Sequence, residues 1–246
     1  MRWQSIFFDL DNTLYSHELA FEKSIIYTFQ QRYRTDEKLQ HIDKKEWFTT
    51  FKYYCDELWK EMEKDILTYS EYRMKRFIET MNHYNIEMNE KEAELFHDQY
   101  EREVSKFVEP YTGMKELFEE LYQADVYLGI ITNGNRTTQL DKWKALHVEK
   151  YIPKERVYIS EEMGVGKPDR EIFTTVLNKT GSIPSHALYV GDSWELDVQA
   201  SMDAGMESIY LNTRKEPRQE GRSPLAEYEH FEDAARLIIN RIKPGG

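Results

Sequence analysis

Cysteine is almost missing from this 246-residue chain: Cys55 is the only one. No disulfide can form within it, and a reducing compartment fits. Long apolar runs are missing too; none approaches the ~20 residues needed to span a bilayer. Met1-Arg2-Trp3-Gln4 leads straight into a short apolar segment, without the h-region or cleavage site of a secretory signal. These absences lead us to expect a soluble, cytoplasmic protein with no membrane partner. Basic residues are in deficit, 33 Lys and Arg against 45 Asp and Glu, a formal net charge of -12. That weighs against a broad basic surface for a nucleic-acid polymer. A small anionic ligand stays open, because a metal and one lysine can reverse the local field. Internal repeats and low-complexity segments are absent, and so is the Cys and His cluster that zinc favours.

What is there is enough for a core: 40% hydrophobic residues, 14% of the total aromatic. The length allows one large domain or one domain carrying an insertion. Ile6-Phe7-Phe8 reads as a short buried strand, followed at once by Asp9-Leu10-Asp11-Asn12-Thr13. Two carboxylates two residues apart point to the same side of an extended chain and repel, so a site holding both wants a cation. Asn12 and Thr13 suit a turn or helix cap, so the chain should leave the strand there. Taken alone, the pair reads equally well as surface acids opening a loop.

Residues 16 to 107 contain no pattern of a buried strand. Ile25, Ile26, Phe29 and Tyr33 share a helical face, and Trp47, Phe51, Tyr54, Leu58 and Met62 step by three and four. Thr68 with Glu71 has the form of a capping box ahead of Phe77, Ile78 and Met81. Asn89 is placed to cap a fourth helix carrying Ala93, Phe96, Tyr100 and Val104. Four helices in this stretch predict an antiparallel bundle. Pro110-Tyr111-Thr112-Gly113 ends it.

From there strands and helices alternate. Strands are expected at 126–131, 156–160, 187–190 and 207–211. Helices are expected at 114–123, 138–146, after Pro168 as first helical residue, at 195–204 and at 231–242; 214–224 reads as an exposed loop. Alternation predicts an α/β, doubly wound, mostly parallel sheet. The helical block interrupts it, giving a discontinuous core (1–15 with 108–246) and an inserted unit (16–107).

Four polar clusters then fall at one edge of that sheet: Asp9 and Asp11 after the first strand, Thr132 and Asn133 after the second, Lys167 in the loop after the third, and Asp192 after the fourth with Asp197 five residues on. Carboxylates with oxygen-only donors suit Mg²⁺. A Thr hydroxyl, a neighbouring backbone N–H and a Lys ammonium can cradle an anion with three acceptor oxygens. A carboxylate can accept a phosphoryl group, and a second acid nearby can protonate a leaving oxygen and then activate water. Separately, Lys167 could be a solvated loop lysine, and Asp197 an acid favoured by a helix N-terminus.

Asp9-Leu10-Asp11-Asn12-Thr13-Leu14, Ile131-Thr132-Asn133-Gly134, Gly166-Lys167-Pro168 and Gly191-Asp192 through Asp197 together resemble the four motifs of the haloacid-dehalogenase-like (HAD) hydrolase superfamily. The resemblance covers the whole core, and the insertion sits where the branch with a helical cap has it. It implies a Rossmann-like sheet of order 5-4-1-2-3. It implies that Asp9 is the nucleophile, Asp11 the general acid/base, and that Thr132, Asn133 and Lys167 bind the phosphoryl oxygens. Mg²⁺ would be held by Asp9, Asp192 and the backbone carbonyl of Asp11, with Asp197 supporting Lys167 or the metal waters.

The expected activity is therefore Mg²⁺-dependent hydrolysis of a phosphomonoester through an aspartyl-phosphate, on a small phosphorylated metabolite. A nucleoside monophosphate is the first candidate, from similarity to the 5′-nucleotidase-like members. The alternatives are a phosphomutase, phosphonatase or dehalogenase reaction, or a regulator without activity. Dehalogenases of the family lack an acid where Asp11 stands, and a regulator would be expected to have lost part of the set. The cap is expected to select the substrate. Its Trp47, Phe51 and Tyr54 are expected in the cap's own core, Tyr15 and Phe21 near the hinge are candidate substrate contacts, His17 is expected to be exposed, Trp194 to pack or form a rim, and Cys55 to be inert.

Overall fold

The computed structural model describes residues 2–62, 64, 66–216 and 222–242. The chain divides into two compact units, Met1–His17 with Val108–Gly246, and Glu18–Phe107. No helix of the described residues is long and apolar enough to cross a membrane.

In chain order, β1 (Ser5–Phe8) is followed by α1 (His17–Tyr33), α2 (Lys44–Met62), α3 (Tyr69–His83) and α4 (Glu90–Glu103). Then come α5 (Met114–Gln123), β2 (Tyr127–Thr132), α6 (Arg136–Ala145), β3 (Val157–Ile159), α7 (Ser160–Met163), α8 (Arg170–Thr180) and β4 (Ala187–Gly191). A π-helical segment, Trp194–Gln199, runs into α9 (Ala200–Asp203). The chain continues through β5 (Glu207–Leu211), β6 (Ala226–Tyr228) and α10 (Phe231–Ile242).

In the helical unit the three-and-four spacing places Trp47 and Phe51 in the core as predicted, whereas Tyr54, expected beside them, is half-buried and packs edge-on against Tyr53. Phe29 stacks on Trp47 with centroids 4.1 Å apart, and Phe77 on Phe96 at 4.4 Å. Trp47 and Phe51 are fully buried, and Cys55 nearly so. Thr68 and Glu71 form the reciprocal capping box at the start of α3, and Asn89 accepts from the Glu92 N–H at the start of α4. Arg76 is buried among these rings, its guanidinium 4.9 Å from the Tyr72 centroid and 5.3 Å from that of Phe51. Aromatic faces stand there in place of a carboxylate partner.

In the other unit every strand pairing is parallel, in the order β6-β5-β4-β1-β2-β3. The expected 5-4-1-2-3 order is contained in it. β6 is an addition: Ile209 of β5 pairs with Ala226 and Leu211 with Tyr228. β1 is flanked by β2 and β4 in one register, Phe8 facing both Ile130 and Val190. The topology reverses at β1, so the carboxyl ends of β1, β2 and β4 open on one crevice. All four residues of β1 and all five of β4 are buried, as a central parallel strand requires.

Two local expectations need correction, and a third falls partly outside the described residues. Pro168 is not the first residue of α8; Asp169 is the N-cap, its side chain accepting from the Glu171 N–H, and Pro168 lies before it after a cis Lys167–Pro168 peptide bond. A capping aspartate outcompetes proline for setting the helix start. The helix expected over 195–204 is wound as a π-helix for its first half, with Val198 N–H donating to Ser193 C=O, five residues back. Of the loop expected over 214–224, residues 217–221 lie outside those described.

Candidate active site

Asp9 is the first residue past β1, and its N–H still donates to Val190 C=O of β4, which fixes it at the sheet edge. Lys167 enters the same place from the loop before α8. Its Nζ lies 2.5 Å from Asp9 Oδ1, 2.5 Å from Asp197 Oδ1 and 3.2 Å from Tyr189 Oη. The hydroxyl of Tyr189 lies 2.9 Å from Ile131 C=O, so it can donate there while accepting from the lysine. All three N–H bonds of the ammonium thus have acceptors.

Asp197 arrives by the π-helical winding. It is 1% exposed, with Oδ2 accepting the Ser193 N–H at 3.0 Å. That contact is the helix-start reading of Asp197; the lysine contact is the other, and the side chain makes both. Its approach depends on Gly191: a Cβ there would lie 2.4 Å from Asp197 Cβ. Asp192 completes the group, with Arg214 3.0 Å from its Oδ2.

Asp9, Asp192 and Asp197 each place a carboxylate oxygen within 4.8 Å of the others. Burial pushes the Asp9 carboxyl up to about 7, Lys167 pulling it down and Asp197 and Asp11 adding to the rise. Asp192 is also held well above the usual carboxylate range by burial, then by Asp197 and Asp9, with Arg214 opposing. Lys167 is held above its ordinary value because Asp197 and Asp9 outweigh its burial. Buried carboxylates this close are under-neutralised by the basic groups around them, and the donors are all oxygen. The set fits a hard metal ion.

Asp11 is not part of that carboxylate cluster. Its side chain turns to α6, where Lys142 Nζ lies 2.8 and 2.9 Å from the two oxygens and Gln139 Nε2 donates to Oδ2 at 3.0 Å. Tyr15 Oη donates to Oδ1, and His17 Nδ1 lies 3.3 Å from the same oxygen. Burial raises the Asp11 carboxyl, but Lys142 and His17 outweigh it and hold it well below the usual range. Two expectations change here. His17 is half-buried, its side chain 29% exposed against Asp11, because the chain doubles back after β1 and Asn12 Oδ1 accepts the His17 N–H. Tyr15 is fully buried with its hydroxyl on Asp11, and so offers no ring face to a substrate. Asn12, at φ 56°, takes the left-handed conformation that this turn needs and that asparagine tolerates.

Thr132 and Asn133 end β2 beside Asp9. Thr132 Oγ1 accepts from Gln139 Nε2 at 2.7 Å. The Asn133 side chain is spent on the neighbouring loop, accepting the Lys167 N–H at 2.9 Å and donating to Lys167 C=O at 2.8 Å. This amide clasp sets the loop that presents Lys167. Gly166 is the close approach it needs, since a Cβ there would sit 3.0 Å from Asn133 Oδ1.

Asp9, Lys167, Asp192 and Asp197 therefore meet, and Asp11 and Thr132 are joined to each other through α6. Lys142, Gln139, Tyr189 and Arg214 were not singled out from the sequence. Gln139 and Lys142 carry a faint signal: with Leu140 and Trp143 they make the inward face of α6. A lysine on that face needs a buried anion. Trp194 is buried and packs edge-on against Tyr210.

A sequence model of the family described as haloacid dehalogenase-like hydrolase matches residues 6–211. The chain is 26% identical over 239 residues to the pyrimidine 5′-nucleotidase YjjG of Escherichia coli, covering 97% of this chain and 99% of that one. It is 23% identical over 250 residues to the pyrimidine 5′-nucleotidase PynA of Streptococcus pneumoniae, with 98% of each covered. Among solved structures, the magnesium-bound HAD-hydrolase YfnB of Bacillus subtilis superposes with a TM-score of 0.82 at 22% identity, over 97% of this chain and 99% of that one. The motif residues, the sheet order and a match running through all four motifs agree: this chain belongs to the haloacid dehalogenase-like hydrolase family and is a hydrolase.

Proposed function

We propose that the chain hydrolyses a phosphomonoester of a small metabolite through an aspartyl-phosphate on Asp9, with Mg²⁺ held by Asp9, Asp192 and the backbone carbonyl of Asp11. The observation that carries this reading is the buried meeting of Asp9 with Lys167 beside an acid, Asp11, held apart from the carboxylate cluster. A carboxylate oxygen of Asp9 attacks phosphorus, the bond to the ester oxygen breaks, and that oxygen takes a proton from Asp11. Water then attacks the same phosphorus, gives its proton to the Asp11 carboxylate, and releases phosphate and free Asp9. Lys167, the Thr132 hydroxyl and the Asn133 backbone N–H bind the phosphoryl oxygens. The metal, when bound, supplies a compact positive charge beside those oxygens. Lys142 and His17 favour the ionised form of Asp11, the form that takes the water proton in the second step, while the first step draws on its minor protonated form.

One observation favours a phosphatase over a dehalogenase. Asp11 is present and built into a network, and the loss of a halide needs no proton. The names of the two nucleotidase relatives support a nucleoside monophosphate, and a pyrimidine one first. We take residues 1–15 with 108–246 as the catalytic core, and 16–107 as the cap that selects among esters.

The test is a Mg²⁺-supplemented panel of nucleoside monophosphates, sugar phosphates, phosphoserine and p-nitrophenyl phosphate, compared by kcat/KM, with Asp9→Asn as control. Pyrimidine nucleotides should lead the panel by at least about tenfold, or 1.4 kcal/mol, and Asp9→Asn should fold but not turn over. Equal rates across the panel would remove the nucleotide assignment alone. Full turnover by a folded Asp9→Asn protein would remove the mechanism.

A further inference from the structure

α6 does more than cover the sheet. Gln139 and Lys142 lie one turn apart on its inward face, 2% and 4% exposed. Every polar hydrogen of the two side chains is committed. Lys142 Nζ donates to both oxygens of Asp11 and to Gln139 Oε1, the last at 2.8 Å. Gln139 Nε2 donates to Asp11 Oδ2 and to Thr132 Oγ1. The pair thus joins a residue at the end of β1 to one at the end of β2 by a closed chain of hydrogen bonds.

That arrangement has two consequences. Asp11 is held toward α6 by three N–H bonds, with the Tyr15 hydroxyl as a fourth donor. Without Lys142 its carboxylate would lose the one partner that bridges both its oxygens, and Gln139, Tyr15 and His17 would hold it less firmly. Thr132 is also polarised: its hydroxyl oxygen already accepts a hydrogen from Gln139, so its own hydrogen donates, here to Asn133 C=O at 3.4 Å, a long bond that a phosphoryl oxygen can replace. A donor hydroxyl is what a phosphoryl oxygen needs.

We propose that Gln139 and Lys142 are positioning residues of this hydrolase, Lys142 fixing Asp11 for proton transfer at the ester oxygen and Gln139 setting the Thr132 hydroxyl as a donor to phosphate. This inference rests on the phosphomonoesterase reading above. Neither side chain touches the phosphorus; each acts through the residue it holds.

The experiment is single-turnover phosphorylation by an alkyl phosphate and by p-nitrophenyl phosphate, in the full-length protein with Mg²⁺, for wild type, Lys142→Met, Lys142→Arg and Gln139→Leu. Inorganic phosphate affinity is measured alongside by calorimetry. A displaced acid hurts most where the leaving oxygen is most basic. Lys142→Met should therefore lose about 100-fold on the alkyl ester and no more than about 5-fold on p-nitrophenyl phosphate, at nearly unchanged KM. Lys142→Arg should regain at least about tenfold of that loss, because a guanidinium can still hold both oxygens. Gln139→Leu should weaken inorganic phosphate binding by about tenfold, and Lys142→Met should leave it within about twofold. Equal losses on both esters, or no rescue by arginine, would overturn the role of Lys142. Unchanged phosphate affinity in Gln139→Leu would overturn the role of Gln139. If Lys142→Met does not fold, Lys142→Gln is read by the same criteria. Turnover by Asp9→Asn would mark failure of the phosphatase reading itself, whereas an inactive Asp9→Asn beside a fully active Lys142→Met would sink only this inference.

Discussion

Asp11→Asn should slow phosphorylation by an alkyl phosphate far more than phosphorylation by p-nitrophenyl phosphate, since an amide has no acidic proton to give. Equal slowing of the two would exclude the acid role. Gly191→Ala is the sharper steric test. The added methyl would overlap the Asp197 side chain, so the π-helical segment or β4 must move. Overpacking of this kind costs about 1–3 kcal/mol, and here it also displaces a partner of Lys167. Thermal unfolding should drop and turnover should fall together; wild-type turnover would show that Asp197 is not needed where it sits. At this scale the sequence is legible where a strand ends. Asp9, Asp11, Thr132 and Asp192 stand out because polar residues follow apolar runs. Lys142, Gln139 and Tyr189 do not. They lie inside a helix or a strand, where lysine and glutamine read as a solvated face and tyrosine as core. Only the partners brought in from β1 and from the Lys167 loop give those side chains a task.

Secondary-structure elements were readable in proportion to their periodicity. α2 and α3 announce themselves by aromatic spacing, and the capping box at Thr68 and Glu71 marks where α3 begins. Thr68→Ala should cost about 1 kcal/mol, read as a lower urea midpoint at unchanged m-value. No change in midpoint would mean the box is idle in the folded protein. β6 was missed because Ala226-Glu227-Tyr228 has neither length nor a buried alternating face; its half-exposed residues form an edge, held by Leu225 N–H to Ser208 C=O and Asn212 N–H to Tyr228 C=O. The π-helical winding of Trp194–Gln199 was missed for another reason. Helical periodicities of 3.6 and 4.4 residues differ too little over six residues to be told apart in sequence. What selects the wider turn is Lys167, which draws Asp197 inward past a glycine.

For the whole molecule, the division into an interrupted α/β unit and a helical insert was visible in the change of pattern at either end of residues 16–107. The raised carboxyls of Asp9 and Asp192, and what they imply for a cation bound there, were not. Asp9 has a folded-state value near 7, above the ordinary carboxylate range of about 4. Without metal the native state therefore holds protons that the unfolded chain releases. This contribution to stability is lost as pH rises through about 7. A cation must displace those protons. Mg²⁺ binding should tighten as pH rises from about 6 to about 8, and it should release protons in calorimetry run in two buffers of different ionisation enthalpy. Mg²⁺ affinity independent of pH would show that Asp9 and Asp192 are already ionised without metal.

β1 precedes the other strands and is central in the sheet, yet its two neighbours, β2 and β4, come from 127–132 and 187–191. During synthesis it waits without a partner, a bare apolar Ser5–Phe8 segment, while the helical residues that follow already carry a complete core of their own. The sheet cannot close until β4 has emerged, so Asp9, the residue after β1, is made well before the strands that seat it. Ribosome-bound chains ending near residue 180 should protect the helical insert from protease but not the α/β unit; early protection of both would mean that β1 and β2 suffice as a nucleus.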